Sequence, residues 1–107
     1  LSGIPEYSKG GRIMTVAYTY NTVSKEEYEL VFPQVLGDGI SHQGLIVHAA
    51  GEEANGTWRV VEVWDSDENR GRWERETLLP SLQQHGVDIT QGPPEWTRVE
   101  VRELVTS

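Results

Sequence analysis

The sequence predicts an α+β domain in which one layer of helices covers a four-stranded antiparallel sheet. Two segments near the ends of the chain, 14–20 and 96–105, alternate apolar and polar residues as half-buried strands do. Between them, two apolar runs joined by a polar, glycine-containing turn give a hairpin signal at 44–66, and two capped stretches are typical of helices. The chain has 107 residues, the length of one domain with one core.

The amino-terminal part supplies a leader and the first strand. Residues 1–13 contain scattered Gly and Pro without a sustained period, so we expect a poorly ordered leader there and a single domain over 14–107. The alternation over 14–20 predicts strand one. Tyr18 and Tyr20 lie on the same face of this strand, either to donate a hydrogen bond to a ligand oxygen or simply to pack.

A capping box predicts the start of the first helix. Ser24 and Glu27 have the spacing at which each side chain satisfies the backbone N–H of the other residue. Pro33 lacks a backbone donor, so we expect a kink or an early end of the helix near 29–32. One apolar stripe follows the helical period and consists of Tyr28, Val31, Phe32, Val35 and Leu36.

The hairpin supplies strands two and three and leads into the second helix. Strand two is predicted over 45–50 and strand three over 58–64, with 51–57 as the connection. Ser66 is the predicted cap of the second helix. The acidic residues beside it are interpreted as partners of the helix dipole rather than as catalysts. They are Asp65, Asp67 and Glu68.

The carboxyl-terminal part carries a helix breaker and the last strand. Pro80 predicts that the second helix breaks near 77–79 and resumes over 81–85, and Gly86 is a C-cap signal. After a loop containing two consecutive prolines, the alternation over 96–105 predicts strand four.

This order, β-α-β-β-α-β, is the split βαβ pattern of a ferredoxin-like fold. A single layer of helices covers only one face of the sheet, so the other face must be covered from elsewhere. The same face of a second copy, related by a two-fold axis, is the simplest cover, and we therefore expect a homodimer.

The composition of the chain restricts the classes of partner and the kinds of site that we expect. The formal net charge of -8 argues against binding to nucleic acid and to anionic membrane surfaces, because both require clustered Lys and Arg. The absence of Cys excludes disulfides, thiolate nucleophiles and Cys-ligated metals. No apolar run approaches the roughly 20 residues of a membrane span, and no signal peptide is evident. We expect a cytoplasmic protein with no membrane partner.

The sequence resembles the short bacterial proteins of the dimeric α+β barrel superfamily. The resemblance spans 14–104 and rests on GLIVHAAG, TWRVVEVWDS, Trp73, LLPSLQQHG and the late Pro-Pro. It implies a dimer with a site between sheet and helices, lined by Trp64. Members include cofactor-independent monooxygenases, haem-degrading enzymes, polyketide cyclases and lactone isomerases. Monooxygenases related to antibiotic biosynthesis carry an Asn where this chain has Val60, which donates no hydrogen bond, so cyclisation or isomerisation is preferred over oxygenation.

His48 is the first candidate for chemistry. It stands in an otherwise apolar strand, where an imidazole needs a hydrogen-bond partner. It is either a general acid or base, titrating near working pH, or a structural histidine. Its neighbours depend on the hairpin register. If Ala50 lies opposite Trp58, His48 shares a face with Trp58, Val60, Glu62 and Trp64. A slip of one residue gives it Arg59, Val61 and Val63 instead.

Glu62 and two tryptophans complete the candidate set. Glu62 lies between two valines and is either a proton carrier or one half of an inter-subunit salt bridge with Arg98 or Arg102. Trp64 and Trp73 either stack on a planar ring of the ligand or seal the helix against the sheet. No tight ligand spacing indicates a metal site.

The leading hypothesis is a cofactor-free enzyme that acts by proton transfer on a small hydrophobic, aromatic or polyketide-like molecule. His48 is its acid or base, Glu62 or a tyrosine its helper, and Trp64 and Trp73 the walls that hold the ring. A non-catalytic binding dimer is the alternative from another class, and a cofactor-independent monooxygenase is the alternative reaction.

Overall fold

The computed structural model describes residues 14–22, 24–37, 43–90 and 96–106, and the expected leader at 1–13 lies outside these ranges. The predicted order of strands and helices is confirmed, with the second helical region divided into three consecutive pieces. The elements are β1 (Val16–Thr22), α1 (Lys25–Val35), β2 (Leu45–Glu52), β3 (Trp58–Trp64), α2 (Asp67–Trp73), a π-helical segment (Glu74–Leu78), α3 (Leu79–Gln84) and β4 (Trp96–Glu100).

The four strands form one antiparallel sheet in the order β2-β3-β1-β4, so the predicted α+β class is also confirmed. The helices cover one face of this sheet, and the hydrophobic core lies between the two layers. The core is made by alternate residues of β1 and β3 and by the inward sides of the helices. Its buried members are Val16, Tyr20, Val31, Phe32, Val35, Val60, Trp64, Trp73 and Leu78.

Helix α1 begins as predicted and ends later than predicted. Ser24 is its N-cap, and the Ser24 hydroxyl accepts the backbone N–H of Glu27 at 3.0 Å. The early end expected from Pro33 is wrong, because the helix runs to Val35 with Pro33 inside it. The proline removes one backbone bond on the exposed side, whereas the buried stripe beneath it keeps the last turn packed on the core.

The second helical region widens where a break was expected. Ser66 caps α2, and its side chain accepts the N–H of Asn69 at 3.1 Å. The predicted interruption near 77–79 is wrong, since Glu74–Leu78 continue the helix as a π-helical segment. Proline at 80 would collide with the carbonyl of residue 76 in a regular α-helix. A wider turn just before it, with the N–H of Leu79 bonded to the Glu74 carbonyl, continues the helix without a gap.

The boundaries of three strands also differ from the prediction. Strand β1 covers Val16–Thr22 instead of 14–20, because its pairing with β3 runs from Val16 to Thr22. Strand β2 reaches Glu52, because Glu52 still pairs with Trp58 and only 53–57 remain as the turn. Strand β4 ends at Glu100 instead of 105. Among the described strands it pairs with β1 alone, and the pairing stops where Glu100 meets Val16, the first residue of β1. Alternation in the sequence continues past this point, but a strand needs a partner.

The face of the sheet away from the helices carries two rows of valine, alanine and threonine side chains that cross all four strands. Pairing aligns Val47, Val63, Ala17 and Val99 in one row and Ala49, Val61, Thr19 and Thr97 in the next. We call these two rows the open face. Within the chain, Val47, Val61 and Val99 remain 36%, 38% and 50% exposed.

No helix in the described ranges is long and apolar enough to cross a membrane.

Candidate functional site

The hairpin register places His48 on the helix-covered face of the sheet. His48 pairs directly with Glu62, and Ala50 pairs with Val60 rather than with Trp58. The register therefore differs by two residues from the pairing considered from sequence. Because side chains alternate every residue, a two-residue difference preserves the face. His48 shares it with Trp58, Val60, Glu62 and Trp64.

His48 is held by a tyrosine from α1. The hydroxyl of Tyr28 lies 2.8 Å from Nε2 of His48, and the two rings are nearly parallel with centroids 6.0 Å apart. Phe32 lies one helical turn further along. Its ring centre is 4.6 Å from that of Tyr28, on which it stacks, and 5.9 Å from that of His48. The apolar stripe of α1 thus supplies both the hydrogen-bond partner and the packing that orient the imidazole.

Both members of this pair are neutral at pH 7. Burial lowers the pKa of His48 below 6.5, although the negative charge of Glu62 acts in the opposite direction. Burial, followed by the charge of Glu62, raises the pKa of the Tyr28 hydroxyl. The single hydrogen bond between them can therefore run in either direction, depending on which imidazole nitrogen carries the proton.

Glu62 is a fully buried carboxylate bonded to three donors. Tyr20 donates to one of its oxygens at 2.5 Å, whereas Nε1 of Trp64 at 2.9 Å and Nε of Arg70 at 3.4 Å reach the other. Its exposed fraction is 0%. Burial, followed by the charge of Glu62, raises the pKa of Tyr20 well above its ordinary value, so Tyr20 remains a donor. The carboxylate thus has fixed partners and lies out of contact with solvent.

Arg70 supplies the opposite charge, and it was not among the residues predicted for the site. Its guanidinium, on α2, also pairs with Glu74 at 3.0 Å and lies 4.5 Å from the ring centre of Tyr18. Glu74 stands four residues after Arg70, a spacing that signals an ion pair on one helix face. The long-range pairing with Glu62 has no such signal.

Tyr18 faces a second polar cluster at the start of α2. Its hydroxyl donates to Asp67, and Arg98 on β4 donates to the same carboxylate through Nε at 2.9 Å and Nη2 at 2.5 Å. Hydrogen bonding from Arg98 lowers the pKa of Asp67. Arg98, considered from sequence as a partner of Glu62, thus ties the edge strand to the helix.

The remaining predicted site residues are core residues. Val60 and Trp64 are 0% exposed and Trp73 is 1% exposed. The two indole rings pack at 5.3 Å, and Nε1 of Trp73 donates to the carbonyl of Val35 at 3.3 Å. In this arrangement Trp64 and Trp73 seal the helices against the sheet, and the polar edge of each ring is occupied by a protein acceptor.

Comparison with solved structures decides the fold. The chain is similar to SnoaB, a cofactor-independent oxygenase from Streptomyces nogalater, at 16% identity and a TM-score of 0.54, over 89% of this chain and 97% of that one. It is also similar to a conserved protein from Methanosarcina mazei Go1, at 12% identity and a TM-score of 0.54, over 82% and 93%. The chain has a ferredoxin-like fold. No protein-family model matches it, and no curated protein does.

At these identities the likeness confirms the fold drawn from the sequence and says nothing of the reaction. Within the ferredoxin-like fold, the residues described above lie between the sheet and its helices. His48 and Glu62 face each other across β2 and β3, and Tyr18 and Tyr20 follow on β1. No group of three or more His, Asp or Glu side chains that could hold a metal ion occurs among the described residues.

Two buried polar atoms in this layer have no hydrogen-bond partner within the described part of the chain. They are Nδ1 of His48 and Nε1 of Trp58. Most buried polar atoms in native proteins are bonded, so an orphan needs an explanation, and a functional role is one. Trp58 was considered from the sequence as a neighbour of His48 on one face of the hairpin, but no hydrogen-bonding role was predicted for it. Its ring lies 5.6 Å from that of Tyr28.

Proposed function

We propose that the protein is a cofactor-independent acid–base enzyme acting on a small aromatic or polyketide-like molecule, by cyclisation or isomerisation. One observation carries the proposal. Nδ1 of His48 is buried and has no partner in the described structure, while the other ring nitrogen is held at 2.8 Å by Tyr28. A histidine with one nitrogen fixed and the other available has the arrangement expected of a general base.

The Tyr28–His48 pair supports both directions of proton transfer. With the proton on Nε2, His48 donates to the Tyr28 oxygen and Nδ1 presents a lone pair that can accept a substrate proton. The imidazolium that forms carries a proton on each nitrogen, keeps the bond from Nε2 to the Tyr28 oxygen, and returns the proton from Nδ1. Isomerisation and cyclisation require this sequence of removal and return.

Glu62 acts on His48 through charge rather than contact with substrate. The carboxylate is opposite His48 in the sheet, and its negative charge raises the pKa that burial lowers. It therefore favours the imidazolium that forms when His48 accepts a proton. Its bonds to Tyr20, Trp64 and Arg70 fix it in place, and we assign it a positioning role.

The surroundings of His48 favour a flat apolar ligand. Tyr28, Phe32 and Trp58 present aromatic rings beside the imidazole, and such rings stack well on conjugated molecules. A non-catalytic binder, the alternative, would leave His48 bonded to the backbone. The Tyr28 hydroxyl, itself able to give or take a proton, supports catalysis over simple binding.

Oxygenation is the alternative reaction, because SnoaB is a cofactor-independent oxygenase. The side chain of Val60 is fully buried and has no polar atom, so it offers no hydrogen bond to a reduced oxygen species. Proton transfer requires only groups that the site holds.

We further propose a homodimer formed through the open face. Its rows of valine, alanine and threonine side chains cross all four strands and leave three valines more than a third exposed. Contiguous apolar surface of this kind marks a protein interface, and a second copy presents a complementary surface by symmetry.

Deuterium exchange tests the proposed chemistry without knowledge of the natural substrate. The probes are benzoylacetone and 2-tetralone, two ketones that carry an aromatic ring and an acidic hydrogen α to a carbonyl group. Their exchange is followed by NMR in deuterated buffer. We expect the wild-type protein to accelerate exchange over buffer, and His48→Gln to lose about 10²- to 10⁴-fold of that acceleration.

His85→Gln is the matched control. His85 is bonded through Nδ1 to the Ser81 carbonyl at 2.8 Å, at the end of α3, away from the site. It should retain wild-type exchange. No acceleration by the wild-type protein, or equal loss in both variants, would contradict the proposal.

A further inference from the structure

Two orphan polar atoms flank the ring of Tyr28, and only one of them belongs to the proposed acid–base pair. Nδ1 of His48 and Nε1 of Trp58 are both buried and without a partner in the described structure. The Tyr28 ring lies 6.0 Å from that of His48 and 5.6 Å from that of Trp58. An indole nitrogen is only a donor, so Trp58 requires an acceptor from outside the described chain.

The sheet places both side chains on the helix-covered face. Trp58 pairs with Glu52, and His48 pairs with Glu62, in the same β2–β3 ladder. Their backbones are therefore four residues apart along the ladder, roughly 13 Å. Both rings lie beside that of Tyr28, which is on α1 above the sheet, so the two side chains with an orphan nitrogen border one aromatic residue.

We propose that Trp58 is a substrate-binding residue whose indole N–H donates to the carbonyl oxygen of a ketone that carries an aromatic ring. His48 removes the acidic hydrogen from the carbon next to that carbonyl group. The inference rests on the proposed function and narrows its substrate class. A hydrogen-bonding site of this kind rejects analogues without the oxygen, because the buried donor then stays unsatisfied. The ligand must combine an apolar ring system with at least one carbonyl or enol oxygen.

The step balances without an oxidant or a second reactant. The C–H bond breaks and an N–H bond forms at Nδ1 of His48. The electron pair of the C–H bond delocalises onto the ketone oxygen, which becomes an enolate. The N–H of Trp58 binds this oxygen more strongly as its charge grows, which is how a fixed donor lowers a barrier. The proton then returns from Nδ1 to carbon.

The indole N–H signals of the tryptophans report this contact directly. In protein labelled with ¹⁵N-Trp, we expect the Trp58 N–H proton to move downfield when benzoylacetone or 2-tetralone is added, and not when butylbenzene is added. Trp64 and Trp73 are internal controls, because their indole nitrogens already donate to Glu62 and to the Val35 carbonyl. Their signals should stay fixed.

A substitution at Trp58 measures how much the hydrogen bond contributes to the affinity for the ketone. Trp58→Phe removes the donor and keeps an aromatic ring, and it should weaken ketone binding roughly tenfold while binding of butylbenzene is unchanged. His48→Gln should abolish exchange yet keep the Trp58 shift, since the two residues contact different atoms of the ligand. The NMR measurement on wild-type protein keeps the test decisive if Trp58→Phe does not fold.

The outcomes separate this inference from the proposed function. Exchange that depends on His48 while the Trp58 signal stays fixed would overturn the inference and leave the function standing. A Trp58 signal that moves equally with butylbenzene would also overturn it, since the shift would then report packing or a trapped water. A ketone-specific shift without exchange would support the Trp58 contact and remove the proposed function. If neither the Trp58 shift nor the exchange is observed, both the inference and the proposed function are contradicted.

Discussion

Tyr18 and Tyr20 lie two residues apart on one face of one strand, yet their hydroxyls have different environments. Tyr20 donates to the fully buried Glu62, whereas Tyr18 donates to the exposed Asp67. A hydrogen bond to a buried charge is expected to stabilise more than one at the surface.

Tyr20→Phe should therefore lower the free energy of unfolding by about 1.5 to 3 kcal/mol, because it removes one of three donors from a buried carboxylate. Tyr18→Phe, the matched control, should cost about 0.5 kcal/mol or less. Chemical denaturation measures both values. Equal losses would contradict the view that the bond to Glu62 stabilises the fold more because this carboxylate is buried.

The lowered pKa of His48 predicts a pH dependence of stability. The folded state holds this pKa below the 6.5 of the free side chain, chiefly through burial. The unfolded chain then binds more protons, so stability is greatest above pH 6.5 and falls as the pH drops through the folded-state pKa.

His48→Gln should flatten this part of the curve in denaturation experiments between pH 5 and 7. An unchanged slope in His48→Gln would show that other groups cause the dependence.

Gly44 lies directly before β2 and packs against the start of α2, where an added side chain would overlap with Asp65 and Asn69. Its φ is +110°, and an added Cβ would lie 2.5 Å from Oδ1 of Asp65 and 2.9 Å from Cβ of Asn69. Its carbonyl accepts the N–H of Asp65 at 2.9 Å. Gly56 shares a positive φ of +92° but has open space around it.

Alanine substitutions at the two glycines distinguish the free-energy cost of backbone strain from the cost of steric overlap. Gly56→Ala should destabilise by about 1 to 2 kcal/mol, the cost of a left-handed conformation. Gly44→Ala should cost about 1 to 3 kcal/mol more, because neighbouring side chains must also move. Thermal and chemical denaturation give the comparison, and equal costs would contradict the close contact between strand and helix.

Element types were predictable where a local signal existed. Ser24 and Ser66 mark both helix starts, because capping is a contact between residues three apart. The π-helical segment before Pro80 and the end of β4 at Glu100 were not predictable. Each depends on something beyond local pattern, namely how a helix accommodates a proline and how far the partner strand extends.

The site was only partly predictable for the same reason. The alternation of strand residues restricted His48 to one of two faces, and the register chose between them. Tyr28 was predicted as a member of the apolar stripe, and its hydroxyl contact with His48 spans 20 residues. Arg70 reaches Glu62 from a separate element. Such contacts arise from packing, which no spacing in the sequence records.

At the scale of the whole molecule, the open face predicts the oligomeric state. Val61→Lys places a charge at its centre and should convert the proposed homodimer to a monomer, because an unpaired charge is costly to bury at an interface. Light scattering coupled to size-exclusion chromatography measures the mass.

Leu30→Lys is the matched control. Leu30 is a similarly exposed apolar residue on α1, away from the open face, so this variant should stay dimeric. A monomeric wild-type protein, or the same mass for both variants, would contradict the assignment of the open face as the interface.

The pH dependence of deuterium exchange, measured beside the NMR titration of His48 in the same protein, tests the central claim most directly. If His48 is the general base, exchange of benzoylacetone rises with pH as the imidazole loses its proton, and both midpoints coincide below 6.5. In His48→Gln, the fall of the exchange rate at low pH should disappear. A rate profile whose midpoint departs from that of the His48 titration, or a limb that survives the substitution, would contradict the account.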